Sequence, residues 1–416
     1  MTQTMSHAAP TTRPFTLIHT SDWHLGHELH GHARESEHKA FLDWLLDQIE
    51  EVQADAILVT GDVYDVANPP ISAMRRLFNF LQQAVTRFPT LEILILGGNH
   101  DSAARIDLPA ALLGEGRVHF IGALPRCDGK PDFARIITPL HYQDGVPAAC
   151  LAAVPFCRPG DLCGYDLAAL YSAVMAEASE RAKGLPVVLT GHLHVAGGAV
   201  SELSERRIVA GGEEAQAASL FDNRATYVAL GHLHRAQDIK ADTRVRYAGS
   251  PFPLSATERT YRHSISVVTL GPDGCSVEEV AIPRPVEFLS VGPAPLPEVV
   301  RALEALSFDP TLPPERHPFL EVIVSVEGPE PHLNSRVLEA IADKPLRLLR
   351  IGRILYQAGG RGEAALGSAL ELADLRPDTV FAALHARDYG GAAPTGELAS
   401  AFASLVVDAG LQGGDD

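Results

Sequence analysis

The sequence predicts an α/β fold built from layered sheets, and three observations predict it. From Phe15 to about Pro283, short apolar runs alternate with amphipathic helical patterns, which is typical of a sheet covered by helices. Several of these runs end directly in Gly or Ser, followed by acidic, His or Asn residues. A Pro-rich break then precedes a shorter pattern of strands and helices. We therefore expect a large α/β domain followed by a smaller one.

The large domain is expected to span residues 15–282, after a polar, disordered tail at 1–14. A helix is predicted over Glu37–Val52, because its apolar residues recur at helical spacing on one face. A second helix is predicted over Ile71–Phe88. One apolar stripe of this second helix contains Met74, Leu77, Phe78, Leu81 and Val85.

The smaller domain is expected at residues 283–355, where five segments suggest a βαβαβ unit: Glu287–Val291, Glu298–Leu306, Phe319–Val326, Ser335–Ala342 and Leu346–Ile351. Residues 356–416 follow. They contain a Gly-rich linker at Gly359–Gly367 and two helical patterns, Arg376–Ala386 and Glu397–Val407.

Composition limits the classes of function. Hydrophobic residues make up 46% and charged residues 21% of the 416 residues, which excludes a disordered or fibrous chain. The net charge of −18 argues against a basic surface that coats nucleic acid or membrane, although a local basic groove remains compatible. The five cysteines show no CxxC spacing, and neither an apolar leader nor a membrane-length apolar run is present. We therefore expect a cytoplasmic protein.

Five apolar runs each end in candidate metal ligands. Because open α/β sheets bind ligands at the carboxyl ends of their strands, we expect these five turns to converge on one crevice. The runs and the residues that follow them are Phe15–Thr20 with Ser21-Asp22-Trp23-His24, Ala56–Thr60 with Gly61-Asp62, Ile93–Leu96 with Gly97-Gly98-Asn99-His100-Asp101, Val187–Thr190 with Gly191-His192, and Tyr227–Leu230 with Gly231-His232-Leu233-His234.

The candidate ligands are carboxylates, imidazoles and one amide. Such a set favours Mn²⁺, with Mg²⁺, Fe and Zn²⁺ as alternatives. Seven ligands are too many for one tetrahedral site but suit two ions about 3.5–4 Å apart with a bridging carboxylate. A single Gly-Asp or Gly-His at a strand end is more often only a turn. Five in one chain predict a two-metal centre that hydrolyses a phosphoester.

The order D-x-H, GD, GNHD, GH and GH-x-H resembles that of the calcineurin-like metallophosphoesterase superfamily. The longer segments SDWHLG, GDVYD, LGGNHDS, ALGHLHRAQ and YAGSPFPLS are similar to those of the nuclease subunits of bacterial SbcCD complexes, a family related to double-strand-break repair nucleases. This resemblance implies a β-sandwich with flanking helices over residues 15–282, a capping domain at 283–355 and C-terminal helices that dock on an ATPase.

The resemblance also implies roles for individual residues. One metal would be held by Asp22, His24 and His234, and the other by Asn99, His192 and His232, with Asp62 bridging both. His100 would lie over the substrate phosphate and protonate the leaving 3′-oxygen. Asp101 would orient the His100 ring.

Several nearby residues have open roles. His194 makes residues 191–194 a second GH-x-H, although the family order treats it as a neighbour of the ligands. Asp65 stands where archaeal relatives carry His, so an ordinary capping or supporting carboxylate is an equal alternative. The spacing of four further histidines fits no metal site and predicts a solvated loop and helix start: His27, His30, His32 and His38.

The resemblance implies a Mn²⁺-dependent nuclease that degrades duplex ends 3′→5′, cuts single strands and opens hairpins. ATP would be hydrolysed by an SbcC-type coiled-coil ABC ATPase partner, with no ATP site in this chain and a homodimer inside a heterotetramer. Two alternatives remain: a stand-alone phosphodiesterase acting on nucleotides or other small phosphodiesters, and a non-catalytic scaffold for an ATPase.

Arginines near the motif strands are candidate contacts to the DNA backbone, because a guanidinium binds phosphate in a bidentate manner. A GC-rich genome would give the same excess of Arg over Lys and is the first alternative. The candidates are Arg34, Arg75, Arg76, Arg105, Arg235 and Arg259.

Overall fold

The computed structural model describes residues 13–110, 116–201, 215–271, 274–309 and 311–355, together with 381, 385, 394–396, 398 and 402. The helices of its main ranges are α1 Glu35–Glu51, α2 Ile71–Arg87, α3 Ala103–Asp107, α4 Leu167–Ala182, α5 Leu296–Ala305 and α6 Leu333–Ile341. None of the described helices is long and apolar enough to cross a membrane.

The strands of the first half of the chain are β1 Phe15–Thr20, β2 Glu28–Leu29, β3 His32–Ala33, β4 Ala56–Thr60, β5 Glu92–Leu96, β6 Val118–Ile121, β7 Arg126–Cys127, β8 Lys130–Pro131, β9 Ile137–His141, β10 Pro147–Ala153 and β11 Val187–His192. Those of the second half are β12 Tyr227–Gly231, β13 Gln237–Ile239, β14 Val245–Tyr247, β15 Ser264–Gly271, β16 Gly274–Ala281, β17 Phe288–Pro295, β18 Phe319–Val326 and β19 Arg347–Leu355.

Two six-stranded sheets form the body of the molecule. The first has the order β16-β15-β1-β4-β5-β6, in which β1, β4, β5 and β6 run parallel. The second has the order β13-β14-β12-β11-β10-β9, with a parallel run from β14 to β10. The motif strands β1, β4 and β5 therefore lie in the first sheet, and β11 and β12 in the second.

The two sheets pack face to face. Because neighbouring side chains of a strand point to opposite sides, strands of the first sheet contribute to two separate cores. In the first sheet, Leu17, Leu58 and Leu94 belong to a core shared with the second sheet. Ile18 and Ile57 belong to a separate core shared with α1 and α2. Helix α4 packs against strands of the second sheet. The result is a β-sandwich with flanking helices, which confirms the expected fold class.

The predicted apolar stripe of α2 is wrong in part. Leu77 and Leu81 are buried, and the rest of the buried face consists of Ala73, Phe80 and Ala84. Phe78 and Val85 are instead 45% and 41% exposed. Helix α2 carries two apolar faces, and only one of them contacts the core.

The chain divides into two compact units. The first contains the described residues up to Leu289, with Ser307–Glu321 and Lys344–Arg350, and the second contains Ser290–Leu306, Val322–Asp343 and the described residues from Ile351 onward. The element order β17-α5-β18-α6-β19 confirms the predicted βαβαβ pattern. Its strands form a three-stranded sheet in sequence order.

The predicted linker Gly359–Gly367 lies outside the described residues, and the predicted helices Arg376–Ala386 and Glu397–Val407 lie almost wholly outside them. Among the few described positions of this region, Phe381 and Phe402 are helical. Their rings stack with centroids 4.1 Å apart. These two apolar residues of the predicted docking helices therefore contact each other.

Candidate metal centre

The carboxyl ends of the five motif strands meet in one buried cluster. Asp22, His24 and His234 form one group whose candidate ligand atoms all lie within 4.8 Å of one another, and Asp22, Asp62 and His192 form a second such group. The Asp62 Oδ2 atom lies between the groups, 3.7 Å from His24 Nε2 and 3.4 Å from His192 Nε2. This position is that of a bridging carboxylate.

The remaining predicted ligands complete the second group. The side-chain oxygen of Asn99 lies 2.9 Å from His192 Nε2 and 3.0 Å from His232 Nδ1. The backbone N–H of His232 donates to Asp22 Oδ1 at 3.0 Å. All seven predicted ligands therefore come together, although they are spread over more than 200 positions of the sequence.

Three of the ligand histidines are oriented by an oxygen that lies near their Nδ1 atom. For His24 this oxygen is Asp65 Oδ1 at 3.2 Å, for His192 it is the Thr60 carbonyl at 2.9 Å, and for His234 it is Glu258 Oε1 at 2.8 Å. An Nδ1–H that donates to oxygen leaves the Nε2 lone pair for a metal. His24 Nε2 is buried without a hydrogen-bond partner in the described part of the chain. The residues present thus fit divalent cations.

The buried carboxylates of the cluster also favour a positive charge beside them. Burial, the largest single influence, would lower the pKa of His192, but the charge and hydrogen bond of Asp62, together with the charge of Asp22 and the Thr60 carbonyl, raise this pKa to about 9. Burial would raise the pKa of Asp62, yet His192 and its neighbours hold it well below its ordinary value. Two buried carboxylates therefore keep an imidazolium beside them, and a cation bound at Nε2 must displace that proton.

The local backbone is strained at the ligands. Asp22, His24, Asp62 and His232 have φ angles of 51°, 44°, 47° and 103°. Such angles are uncommon for residues other than Gly, and they concentrate at functional sites, where the surrounding structure holds them. At Gly98, an added Cβ would lie 2.2 Å from Asp62 Oδ1. The glycine of the GNHD segment therefore leaves room for the bridging carboxylate.

The structure places His100 at the edge of the cluster. Its ring centroid is 4.8 Å from that of His24, and its backbone N–H donates to Asp62 Oδ1 at 2.8 Å. The ring Nδ1 lies 2.7 Å from the backbone carbonyl oxygen of Asp65. His100 is half-buried, so its side chain is partly accessible to solvent.

The structure shows Asp101 bound to the backbone of two loops. Its carboxylate accepts backbone N–H groups of Val63, Tyr64 and Gly98 at 2.9–3.0 Å. The acceptor beside His100 Nδ1 is the Asp65 carbonyl, and the orienting role of Asp101 stays a prediction. Asp101 joins the loop after β4 to the loop after β5. Burial and the charge of Asp62 raise the pKa of Asp101 to about 6.

Two supporting residues were not predicted from the sequence. Glu258 is completely buried and, besides its contact with His234, accepts hydrogen bonds from Ser201 Oγ and the Leu254 backbone. His38 was expected in solvent, but it is buried on α1 with Nε2 3.0 and 2.9 Å from the Trp23 and His24 carbonyls. Of these two residues, only Glu258 could have been suspected from the sequence, because it lies three residues after the family-like segment YAGSPFPLS.

The six arginines that were predicted to contact DNA differ in their exposure to solvent. Arg34 is only 1% exposed, forms an ion pair with Glu37, and lies over the rings of Phe252 and Phe319. It has no surface left for DNA, so that prediction is wrong. The other five reach the surface or are half-buried, and they stay predictions as DNA contacts: Arg75, Arg76, Arg105, Arg235 and Arg259.

His194 lies beside the cluster and not in it. Its ring centroid is 6.3 Å from that of His232, and it belongs to none of the ligand groups formed by the described residues. Instead it lines a small cavity together with His192.

The fold and the site together define a metallophosphoesterase. The family model of the calcineurin-like phosphoesterases matches residues 15–236, and that of the type 5 capsule protein repressor C-terminal domain matches residues 283–389. The chain is 38% identical over 384 residues to the SbcD subunit of the nuclease SbcCD from Rhodobacter capsulatus, covering 88% of this chain and 93% of the relative. The chain therefore belongs to the calcineurin-like phosphoesterase family, in the branch of the SbcD proteins.

Two further relatives carry the same description. The SbcD subunit of the nuclease SbcCD from Escherichia coli K12 is 36% identical over 292 residues, which cover 64% of this chain and 68% of the relative. That of Bacillus subtilis is 33% identical over 272 residues, which cover 62% of this chain and 66% of the relative.

Proposed function

We propose that this chain is the nuclease subunit of an SbcCD-type DNA repair complex and hydrolyses DNA phosphodiesters. The observation that carries the proposal is the convergence of seven ligands in two groups around Asp62. The description of the relatives as nucleases supports DNA as the substrate. Of the divalent metals that the site fits, we propose Mn²⁺ ahead of Mg²⁺, because four of the seven ligands are imidazoles.

The two divalent cations, when bound, supply the Lewis acidity that promotes attack of water at phosphorus. The chain's own residues position the reaction. Asp62 lies between the two halves of the centre, and Asn99 contacts both histidines of the second half. The Asp65 carbonyl accepts the Nδ1–H of His100, so the protonated ring presents Nε2–H to the substrate. We propose that His100 gives this proton to the leaving 3′-oxygen.

We further propose the activities and partner that the family resemblance implies. These are ATP-dependent 3′→5′ degradation of duplex ends and endonuclease cleavage of single strands and hairpins, in a cytoplasmic complex with a coiled-coil ABC ATPase that alone binds ATP. Residues 283–355 would act as the capping domain and residues 356–416 would bind the ATPase. The net charge of −18 supports this division of labour, because such a chain holds DNA weakly by itself.

A homodimer is part of the proposal, and α2 supports it. The exposed apolar residues Ile71, Phe78 and Val85 recur at intervals of seven, with the half-buried Met74 between the first two. A heptad of this kind is the pattern by which helices pair. We propose that α2 meets its copy in a second chain.

The purified full chain with Mn²⁺ is tested on a hairpin DNA and on bis-p-nitrophenyl phosphate, with and without the ATPase partner. We expect hairpin cleavage that depends on the metal and is stimulated by the ATPase with ATP. His100→Ala should keep its metal and lose about 10²–10⁴-fold in cleavage rate, whereas the exposed His332→Ala should match wild type.

Other outcomes have definite meanings. Cleavage of the small ester alone, unaffected by the ATPase, identifies a stand-alone phosphodiesterase. Lack of activity on both substrates identifies a scaffold. Loss of metal from His100→Ala would show that His100 is a metal ligand, which contradicts its proposed role as the proton donor.

A further inference from the structure

A small cavity adjoins the metal centre on the side of the second sheet. It encloses about 140 Å³, and we call it the side cavity. Its walls include Phe156, Tyr171, His192, Leu193, His194 and Gln216. The reaction as derived above uses only one of these residues, the ligand His192.

The side cavity shares a wall with the metal centre. His192 forms part of its wall and is also a ligand of the centre. The Phe156 ring stands perpendicular to the His192 ring, with centroids 6.3 Å apart. The backbone N–H of Phe156 donates to the Gly97 carbonyl at 3.0 Å, which ties this aromatic wall to the loop that carries Asn99. A group in the cavity therefore lies next to a ligand of the metal centre.

The size and walls of the cavity select a flat, uncharged ring. An engineered cavity of about 150 Å³ in another protein takes up one benzene ring, so the side cavity has the volume for a single six-membered ring. The half-buried Phe156 supplies aromatic surface, on which nucleobases stack favourably. The guanidinium carbon of the exposed Arg158 lies 5.8 Å from the Phe156 ring centroid, a cation suited to the adjoining backbone.

The Tyr171 hydroxyl belongs to the wall of the side cavity. Tyr171 as a whole is 1% exposed, and its hydroxyl oxygen is not one of the buried polar atoms that lack a partner among the described residues. The oxygen therefore reaches the cavity, where a ligand can replace water as its partner. Burial raises the pKa of Tyr171, so the hydroxyl keeps its proton and can donate it to a carbonyl oxygen of a base.

We propose that the side cavity binds the base of a nucleotide flanking the scissile phosphate, and that it takes a pyrimidine in preference to a purine. The base must be unstacked to enter, as it is in a single strand or a hairpin loop. A purine carries a second ring, which a cavity of about 140 Å³ accommodates less well than a single ring. This inference rests on the proposed nuclease function and adds a sequence preference to it.

The test uses the full chain with its ATPase partner and Mn²⁺, on a single-stranded oligonucleotide whose cut site has been mapped. Thymine, adenine or an abasic nucleotide is placed on either side of the cut. We expect the abasic substitution at one of the two positions to lower kcat/KM about tenfold, with adenine also cleaved more slowly than thymine.

Tyr171→Phe should shrink the difference between thymine and adenine severalfold, because it removes the hydroxyl but keeps the ring. Tyr165→Phe makes the same chemical change at an exposed tyrosine outside the cavity and should keep the wild-type preference. Phe156→Ala should weaken the effect of the abasic substitution, and its metal content shows whether it is folded.

Equal cleavage of all three substrates at both positions, or a preference for adenine, overturns the side-cavity proposal while the nuclease function stands. Failure of the wild-type complex to cut any DNA overturns the proposed function, and the cavity proposal falls with it.

Discussion

At the scale of single residues, the ligands were predictable and their supports were not. Asp22, Asp62 and His192 directly follow or end strands, so the sequence alone places them at a sheet edge. The oxygens that orient the histidines come from distant positions, such as Glu258 for His234. Only tertiary packing decides which acceptor a ring meets. The same limit applies to Asp101, whose neighbour in sequence is His100 but whose contacts include the backbone N–H groups of Val63, Tyr64 and Gly98.

Glu258→Gln tests the support of His234. The amide replaces a charged acceptor with a neutral one, which weakens the hold on the Nδ1–H and lowers the basicity of Nε2. We expect the affinity for Mn²⁺ at the position of Asp22, His24 and His234 to fall about 10–100-fold, as measured by isothermal titration calorimetry. Glu177→Gln, a surface carboxylate paired with Arg181, serves as the control. Unchanged Mn²⁺ affinity in Glu258→Gln contradicts a positioning role.

At the scale of elements, strand ends were predicted closely and helix faces less well. β1 and β4 have the predicted bounds, whereas β11 and β12 continue past their predicted ends to His192 and Gly231. Helix α2 was assigned one stripe, yet Phe78 and Val85 lie outside the core. Helical periodicity finds apolar faces but does not say which one meets the sheet, so a helix with two such faces is ambiguous.

The second face of α2 gives a test of the proposed dimer. Phe78→Asp combined with Val85→Asp places two carboxylates on the heptad stripe, where pairing would bury them at high cost. Sedimentation velocity at micromolar concentration should show a dimer for wild type and a monomer for the double variant. Thr86→Asp, an exposed polar position on the same helix, should remain dimeric. A monomeric wild type, or a double variant that still dimerises, contradicts the proposal.

At the scale of the whole molecule, the sequence predicted the sandwich through resemblance and not through its own pattern. The alternation of strands and helices is compatible with one sheet, whereas the structure divides the motif strands between two. Strand pairing joins distant positions, such as Thr16 and Thr269, which local patterns do not encode. The placement of the acidic residues is likewise not encoded in composition. Composition gives a net charge of −18 but does not show that Asp22 and Asp62 lie in the metal centre.

The central claim is that one chain holds two divalent cations, with Asp62 between them. The most direct measurement is the number of Mn²⁺ ions per chain, obtained by mass spectrometry of the metal after equilibrium dialysis of the full-length protein. We predict two ions for wild type and a loss from both positions in Asp62→Asn, because the substitution removes the shared charge. The surface variant Asp222→Asn should keep both ions. One ion per wild-type chain, or two ions retained by Asp62→Asn, would contradict the account.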